Sequence, residues 1–238
     1  KHSNNNCKNF IKPVVGVTDG NDISLPKHHH QIFKHPLRDL LIEAENIEFQ
    51  TLVNMGALRK AKNIPKDQQI LPCTWVYTSK SDGQGKFLKI KARMTLRGDL
   101  EKTNSVGRDS YTPVLQSSSF RTLLSLHCNK PNIKFYQTDI SSAYLTADVR
   151  KPTYISTPHG RTAPFGSKAI LQALKALYGG DDSGRAFYDS YTNFHLKLGF
   201  KTIHEDQCYL HIDRNNEFIK IVYHVDDNML IVYGNNIL

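Results

Sequence analysis

Cysteine is scarce in this chain: four in 238 residues, Cys7, Cys73, Cys128 and Cys208, with no CxxC pair among them. That spacing supplies neither a zinc site nor a disulfide framework, so reduced thiols partly in the core are expected. Long apolar runs are missing too. No stretch approaches the roughly 20 consecutive apolar residues that span a bilayer, so neither a helical membrane protein nor a membrane partner is expected. The chain opens on Lys1 without an initiator methionine or a basic-then-apolar leader, and reads as a segment of something longer. Acidic residues are the minority charge: 22 Asp and Glu stand against 31 Lys and Arg, a formal net charge of +9. Such a surplus suits a polyanion, because each phosphate neutralised releases condensed counterions; it serves solubility equally well. There are no internal repeats.

What is present is ordinary for a globular protein. The hydrophobic share is 39% and the charged share 22%, and the length allows one large domain or two small ones. Residues 1–35 are polar and Asn-rich, punctuated by Pro13, Gly16, Gly20 and Pro26, and read as a loosely ordered arm. His28-His29-His30 lies inside it, and without a second ligand cluster reads as a solvated run rather than a metal site.

From Pro36 to Arg59, Leu37, Leu40, Leu41, Ala44, Ile47 and Leu52 recur at helical spacing and predict an amphipathic helix ending near Gly56. Ile70 to Tyr77 reads as one strand, Ser81 to Gly85 as a turn and Phe87 to Leu96 as the returning strand. Alternation places Lys89, Lys91, Arg93 and Arg97 on one face of that return. A one-sided row of cations suits a triphosphate or a nucleic-acid backbone, or else protects an exposed edge strand. Helices are expected from Ser119 to Cys128, Ser142 to Ala147, Lys168 to Leu177 and Arg185 to Leu198. Strands are expected at Lys134 to Ile140, Cys208 to Ile212, Phe218 to Val225 and Met229 to Tyr233. The mixture, with its hairpins, predicts an α+β fold.

The chemistry is concentrated near the C-terminal end. Two apolar strands, Phe218 to Val225 and Met229 to Tyr233, flank Asp226-Asp227-Asn228. Adjacent carboxylates at the end of a buried sheet repel each other, and a divalent cation would relieve the repulsion. Asp-Asp-Asn is equally a good turn sequence, and the segment alone does not choose. A third carboxylate, Asp139, closes the strand Phe135 to Ile140. Three carboxylates meeting in space would hold two hard cations, the arrangement that serves in-line phosphoryl transfer.

Gln137-Thr-Asp-Ile-Ser-Ser-Ala-Tyr-Leu145 and Tyr223-His-Val-Asp-Asp227 resemble the first and third palm motifs of reverse transcriptases, specifically the copia-type long-terminal-repeat retrotransposons. Trp75-Val76-Tyr77, Lys91-Ala92-Arg93, Arg97-Gly98, Tyr111-Thr112-Pro113-Val114, Leu174-Lys-Ala-Leu-Tyr-Gly179 and Asp206-Gln-Cys-Tyr209 follow the same family's order, over about residues 36–238. The resemblance implies a right-hand fingers and palm, an antiparallel palm sheet packed on helices, and no thumb. It divides the chain into the arm, a fingers-like region at 36–130 and a palm region at 131–238. It implies RNA-directed DNA polymerase activity with two Mg2+ ions, Mn2+ substituting, held by Asp139, Asp226 and the Ile140 carbonyl with Asp227 in support. Lys91, Arg93 and Arg97 would clamp the deoxynucleoside triphosphate, and Tyr144 would exclude a 2′-hydroxyl. The implied partners are an RNA template, a DNA or RNA primer, and the rest of a polyprotein, with integrase upstream and RNase H downstream. The implied location is a cytoplasmic virus-like particle with a nuclear phase.

The chain departs from the family at two places. Where the family carries a Gln that contacts template and nucleotide, this chain has Asp182, in Gly180-Asp-Asp-Ser-Gly-Arg185; a carboxylate cannot donate that amide hydrogen bond. Asp181-Asp182 reads as a solvated glycine-rich turn rather than a second metal pair. At the third motif the usual Tyr is His224. Asp182, Arg185 and His224 are the expected template and primer contacts. A decayed or domesticated copy that binds nucleic acid or protein without catalysis is the alternative, and a two-metal nuclease the third reading.

Overall fold

The computed structural model describes residues 24–101, 111–161, 164–166 and 168–234. The expected arm therefore lies mostly outside the described residues, and Cys7 with it. The elements in chain order are α1 (Arg38–Asn54), β1 (Leu58–Lys60), β2 (Ile70–Leu71), β3 (Cys73–Ser81), β4 (Phe87–Leu96), α2 (Ser117–His127), β5 (Ile133–Asp139), β6 (Asp148–Ser156), β7 (Ile170–Lys175), α3 (Ser183–Lys197), β8 (Lys201–Thr202), β9 (Tyr209–Arg214), β10 (Glu217–His224) and β11 (Asp227–Tyr233). The fold is mixed α+β.

Strands β3 and β4 form a long antiparallel hairpin whose tip is closed by Asp82, which accepts the backbone N–H groups of Gln84 and Lys86. A four-stranded sheet runs β1-β7-β6-β2, and β2 pairs with β6 in parallel. Its core, with Leu41 and Leu52 of α1, includes Trp75, Met94, Ile155 and Leu171. The second sheet runs β5-β11-β10-β9-β8, antiparallel throughout. The β9–β10 turn has positive φ at both Asn215 and Asn216, the primed geometry that matches strand twist. Alternation along β10 and β11 gives this sheet two apolar faces. Ile221, Tyr223 and Leu230 turn toward α3, while Val222 and Ile231 turn toward Leu123 of α2.

Several expectations needed correction. The expected helix at Lys168 to Leu177 is strand β7, paired on one side with β6 and on the other with β1. Leu171 and Ala173 are fully buried on one face. The run Ile70 to Tyr77 breaks at Pro72, where proline has no N–H to donate, and its halves join different sheets. On α1 the buried phase is Leu41, Glu45, Phe49 and Leu52; Ile47 falls outside it and is 62% exposed. Residues 142–147 form only a 3-10 turn at Ala143–Thr146. Strands β1 and β2 take their partners from residues 148–175, β7 and β6 respectively.

The described end of the arm is docked. His29–Lys34 is a 3-10 turn whose Ile32 is fully buried. His29 is not solvated: its Nδ1 lies 2.8 Å from Oε1 of Glu45, a carboxylate with no exposed surface. Tyr77 donates its hydroxyl to the same oxygen at 2.5 Å, and Arg161 donates to Oε2 at 2.7 Å. Burial, then Glu45, pushes the Tyr77 phenol upward, so it stays a donor.

Candidate active site

Register brings the three carboxylates to one end of the five-stranded sheet. Asp139 is the last residue of β5 and Asp227 the first of β11, and the two are direct cross-strand partners. Direct partners share a face, with Cβ atoms about 4.5–5.5 Å apart. Asp226 sits in the two-residue turn that joins β10 to β11, where His224 pairs with Asp227. The Ile140 N–H donates to the Asp226 carbonyl at 3.0 Å, tying the end of β5 to that turn. Asp139 and Asp227 are exposed and Asp226 is half-buried.

The turn is strained. Val225 has φ +56, a conformation that a β-branched residue adopts only under constraint, at a cost of about 1–3 kcal/mol. Val225 packs with Ile140 and Tyr144 against the small cluster of Ala143, Ala147, Ala186 and Phe187. On the α3 side, Asn228 is buried and its Nδ2 donates to the Asp226 carbonyl at 2.9 Å.

Next to Asp226 stands an aromatic and cationic column. The rings of Tyr144 and Tyr178 meet edge-on at 5.1 Å, and the Arg93 guanidinium lies 5.3 Å from the Tyr178 ring centre. Burial raises the Tyr144 phenol, and the neighbouring Tyr178 and Asp226 add to the shift. Burial likewise raises Tyr178, while Arg93 opposes it. Nε of Arg93 is buried without a hydrogen-bond acceptor. Lys89, Lys91 and Arg93 share the outer face of β4, as alternation predicted. Glu48 of α1 sits beside Lys91 and Arg93; burial raises its carboxyl, and the Met94 N–H and both cations pull it back.

Arg97 does not continue that row. It lies past the end of β4 in a bidentate pair with Asp99, Nε–Oδ1 2.8 Å and Nη2–Oδ2 2.7 Å. Hydrogen bonding to each other raises Arg97 and lowers Asp99. Its guanidinium borders a different cavity, of about 700 Å3, with His29, Trp75 and His159.

Two glycines position Tyr178. The N–H groups of Leu96 and Gly98 donate to the carbonyls of Tyr178 and Gly179 at 2.7 and 3.2 Å. A Cβ on Gly98 would come within 2.2 Å of the Gly179 oxygen, so the Arg97-Gly98 and Tyr178-Gly179 motifs are one close backbone crossing. Gly98→Ala is expected to cost about 1–3 kcal/mol by overpacking, lowering the melting temperature by about 2–4 °C per kcal/mol. An unchanged melting curve would show that the crossing yields freely.

Asp182 is the residue before α3; its carbonyl accepts the Ala186 N–H at 2.9 Å, and its side chain makes no capping bond. Arg185 is drawn into the protein, donating to Asp189 at 2.8 Å and to the Tyr111 carbonyl at 3.3 Å. His224 is exposed beside Asp227 and lines a groove of about 690 Å3 with Phe120, Phe135 and Met229.

The donor set of Asp139, Asp226 and Asp227 is all hard oxygen, the chemistry that suits Mg2+ or Mn2+. Among the described residues no three carboxylate, imidazole or thiolate groups converge closely enough to enclose an ion as they stand. The sequence profile of the reverse transcriptase (RNA-dependent DNA polymerase) family matches residues 59–238. The chain belongs to this family. It is 29% identical over 208 residues to the retrovirus-related Pol polyprotein from transposon TNT 1-94 of Nicotiana tabacum, covering 87% of this chain and 15% of the relative. It is 26% identical to the corresponding polyprotein from transposon RE1 of Arabidopsis thaliana, over 72% of this chain and 12% of that one. The truncated transposon Ty1-A Gag-Pol polyprotein of Saccharomyces cerevisiae is 25% identical over 81% of the chain and 16% of its own length. These matches bear out the copia-type resemblance, while the chain spans less than a fifth of each of these polyproteins.

Sequence reasoning named Asp139, Asp226 and Asp227, which the fold brings together, and Lys89, Lys91 and Arg93, which share a face of β4. It did not assign roles to Tyr178, Glu48 or Asn228. Tyr178 lay within a quoted motif and Asn228 within the Asp226-Asp227-Asn228 turn; Glu48 gave no signal, because only packing places it.

Proposed function

We propose that this chain carries the nucleotidyl-transfer centre of a copia-type reverse transcriptase, extending a primer 3′-end along an RNA template within a retrotransposon polyprotein. The observation that carries this reading is the direct pairing of Asp139 with Asp227, with Asp226 held beside them by Ile140. The five-stranded sheet with α2 and α3 is then the palm. The β3–β4 hairpin, α1 and the four-stranded sheet are the fingers, so residues 148–175 return to the fingers after the first palm strand.

Asp139 and Asp226, with the Ile140 carbonyl, would hold two divalent ions, and Asp227 would support them from the adjoining position. Bound there, the ions supply charge neutralisation at the attacking and leaving oxygens of an in-line displacement. Lys91 and Arg93 face the triphosphate from the outer face of β4. Arg97 joins only by leaving Asp99. Tyr144, half-buried beside Asp226, presents its ring under the sugar. Arg185 and His224 line the path of template and primer, with Asp182 at its edge. The RNA template, primer, integrase and RNase H neighbours and particle location rest on the family resemblance.

Primer extension on poly-rA/oligo-dT with Mg2+ or Mn2+ tests the reading. Extension that Asp226→Asn abolishes supports it; template binding with no extension by the wild type favours a copy that binds nucleic acid without catalysis. Tyr144→Val is expected to admit ribonucleotides, lowering sugar discrimination by about 10- to 100-fold, the scale of one lost steric contact. Unchanged discrimination would remove Tyr144 from that role.

A further inference from the structure

We propose that Asn228 is a positioning residue for the carboxylate turn, oriented in turn by Tyr191; this rests on the polymerase reading of Asp139 and Asp226. Asn228 is 4% exposed on the α3 face of β11. Its Nδ2 donates to the Asp226 carbonyl at 2.9 Å and approaches the Thr138 carbonyl at 3.5 Å. Its Oδ1 accepts the Tyr191 hydroxyl at 2.8 Å. Burial pushes that phenol up to about 12, so it remains a donor at working pH. With the hydroxyl bound to Oδ1, the amide can turn only its N–H2 toward Asp226.

The Asp226 carbonyl thus accepts two bonds, one from Ile140 at the end of β5 and one from Asn228. Two donors from different strands fix the peptide plane that follows Asp226. A fixed plane sets where the Asp226 carboxylate can point relative to Asp139. The strained φ of Val225, immediately before it, makes that restraint necessary, because an unrestrained turn would relax away. A buried amide is the appropriate part, since a charged donor there would disturb the carboxylates it serves.

The test uses Asn228→Leu, close in volume, and Tyr191→Phe, which removes one hydroxyl. Mn2+ binding followed by electron paramagnetic resonance should weaken about tenfold in Asn228→Leu, the scale of one lost hydrogen bond, and less in Tyr191→Phe. Exchange of the Ile140 amide should accelerate in both without any metal. Tyr191→Phe should add nothing in the Asn228→Leu background, because the two act in series. In extension assays kcat should fall while KM for the nucleotide holds. Lower melting temperatures with unchanged Mn2+ affinity and unchanged Ile140 exchange would reduce Asn228 to packing and overturn the proposal. If Asn228→Leu does not fold, Tyr191→Phe decides alone, because its cavity is one oxygen atom. Failure of the polymerase reading is distinct: Asp226→Asn would then leave Mn2+ binding unaltered, while Ile140 exchange still reports on Asn228.

Discussion

Asp226→Asn is expected to lower primer extension by about a thousandfold or more, the loss of roughly 4 kcal/mol of transition-state stabilisation. Asp227→Asn should lower it less, by about 10- to 100-fold, because that side chain supports the site from an adjoining position. The substitution keeps shape and removes charge. The bonds that hold the turn use the Asp226 backbone carbonyl, not its side chain, so they survive. Stability should therefore hold or rise, since like charges gathered at one sheet end repel. Activity and stability moving in opposite directions mark a site whose repulsion is kept for function. The comparison needs steady-state extension rates and melting curves on the three proteins. Equal losses in both variants would cancel the ranking, and undiminished extension by Asp226→Asn would sink the two-metal assignment.

Local pattern made the second sheet legible and the first one largely not. Strands β10 and β11 read as near-continuous apolar runs because each sheet face meets a different helix, β9 alternates, and Asn215-Asn216 announces the turn between β9 and β10. Strand β7 carries Ile170-Leu-Gln-Ala-Leu-Lys175, residues that favour helices on their own. Pairing with β1 and β6 on either side overrides that preference, and no local signal reports a partner more than a hundred residues away. The same holds within the site. Asp139 and Asp227 were visible as strand-end carboxylates, but their direct partnership is a matter of register, set by the whole β5–β11 ladder. Arg97 was placed by alternation on the Lys91 face, yet alternation ends with the strand at Leu96. Asp99, two residues on, then takes the guanidinium.

Removing the Glu45 carboxylate should be the most destabilising single change away from the site. Glu45→Ala is expected to cost about 3–5 kcal/mol, the penalty for leaving partners of a buried ion pair uncompensated. At about 2–4 °C per kcal/mol that lowers the melting temperature on the order of 10 °C. Three donors converge on this one side chain: Tyr77 from β3, Arg161 from the loop after β6, and His29 from the docked arm. Arg161 is only 11% exposed in its side chain, so water cannot replace the carboxylate. Glu45→Gln should rescue only part of it: with the amide oxygen toward Arg161, the N–H2 faces the Tyr77 hydroxyl and His29, which can accept, but the charge that pairs the guanidinium is lost. Glu45→Leu combined with Arg161→Met and Tyr77→Phe should recover much of the loss, since an apolar set leaves no charge stranded. Thermal unfolding of the three variants measures this directly. A Glu45→Ala loss below about 1 kcal/mol, the scale of an exposed pair, would mean that the arm and the loop separate from α1 without cost. The same network holds His29 against α1, while its neighbours His28 and His30 stay exposed, so only the middle histidine of the run is docked.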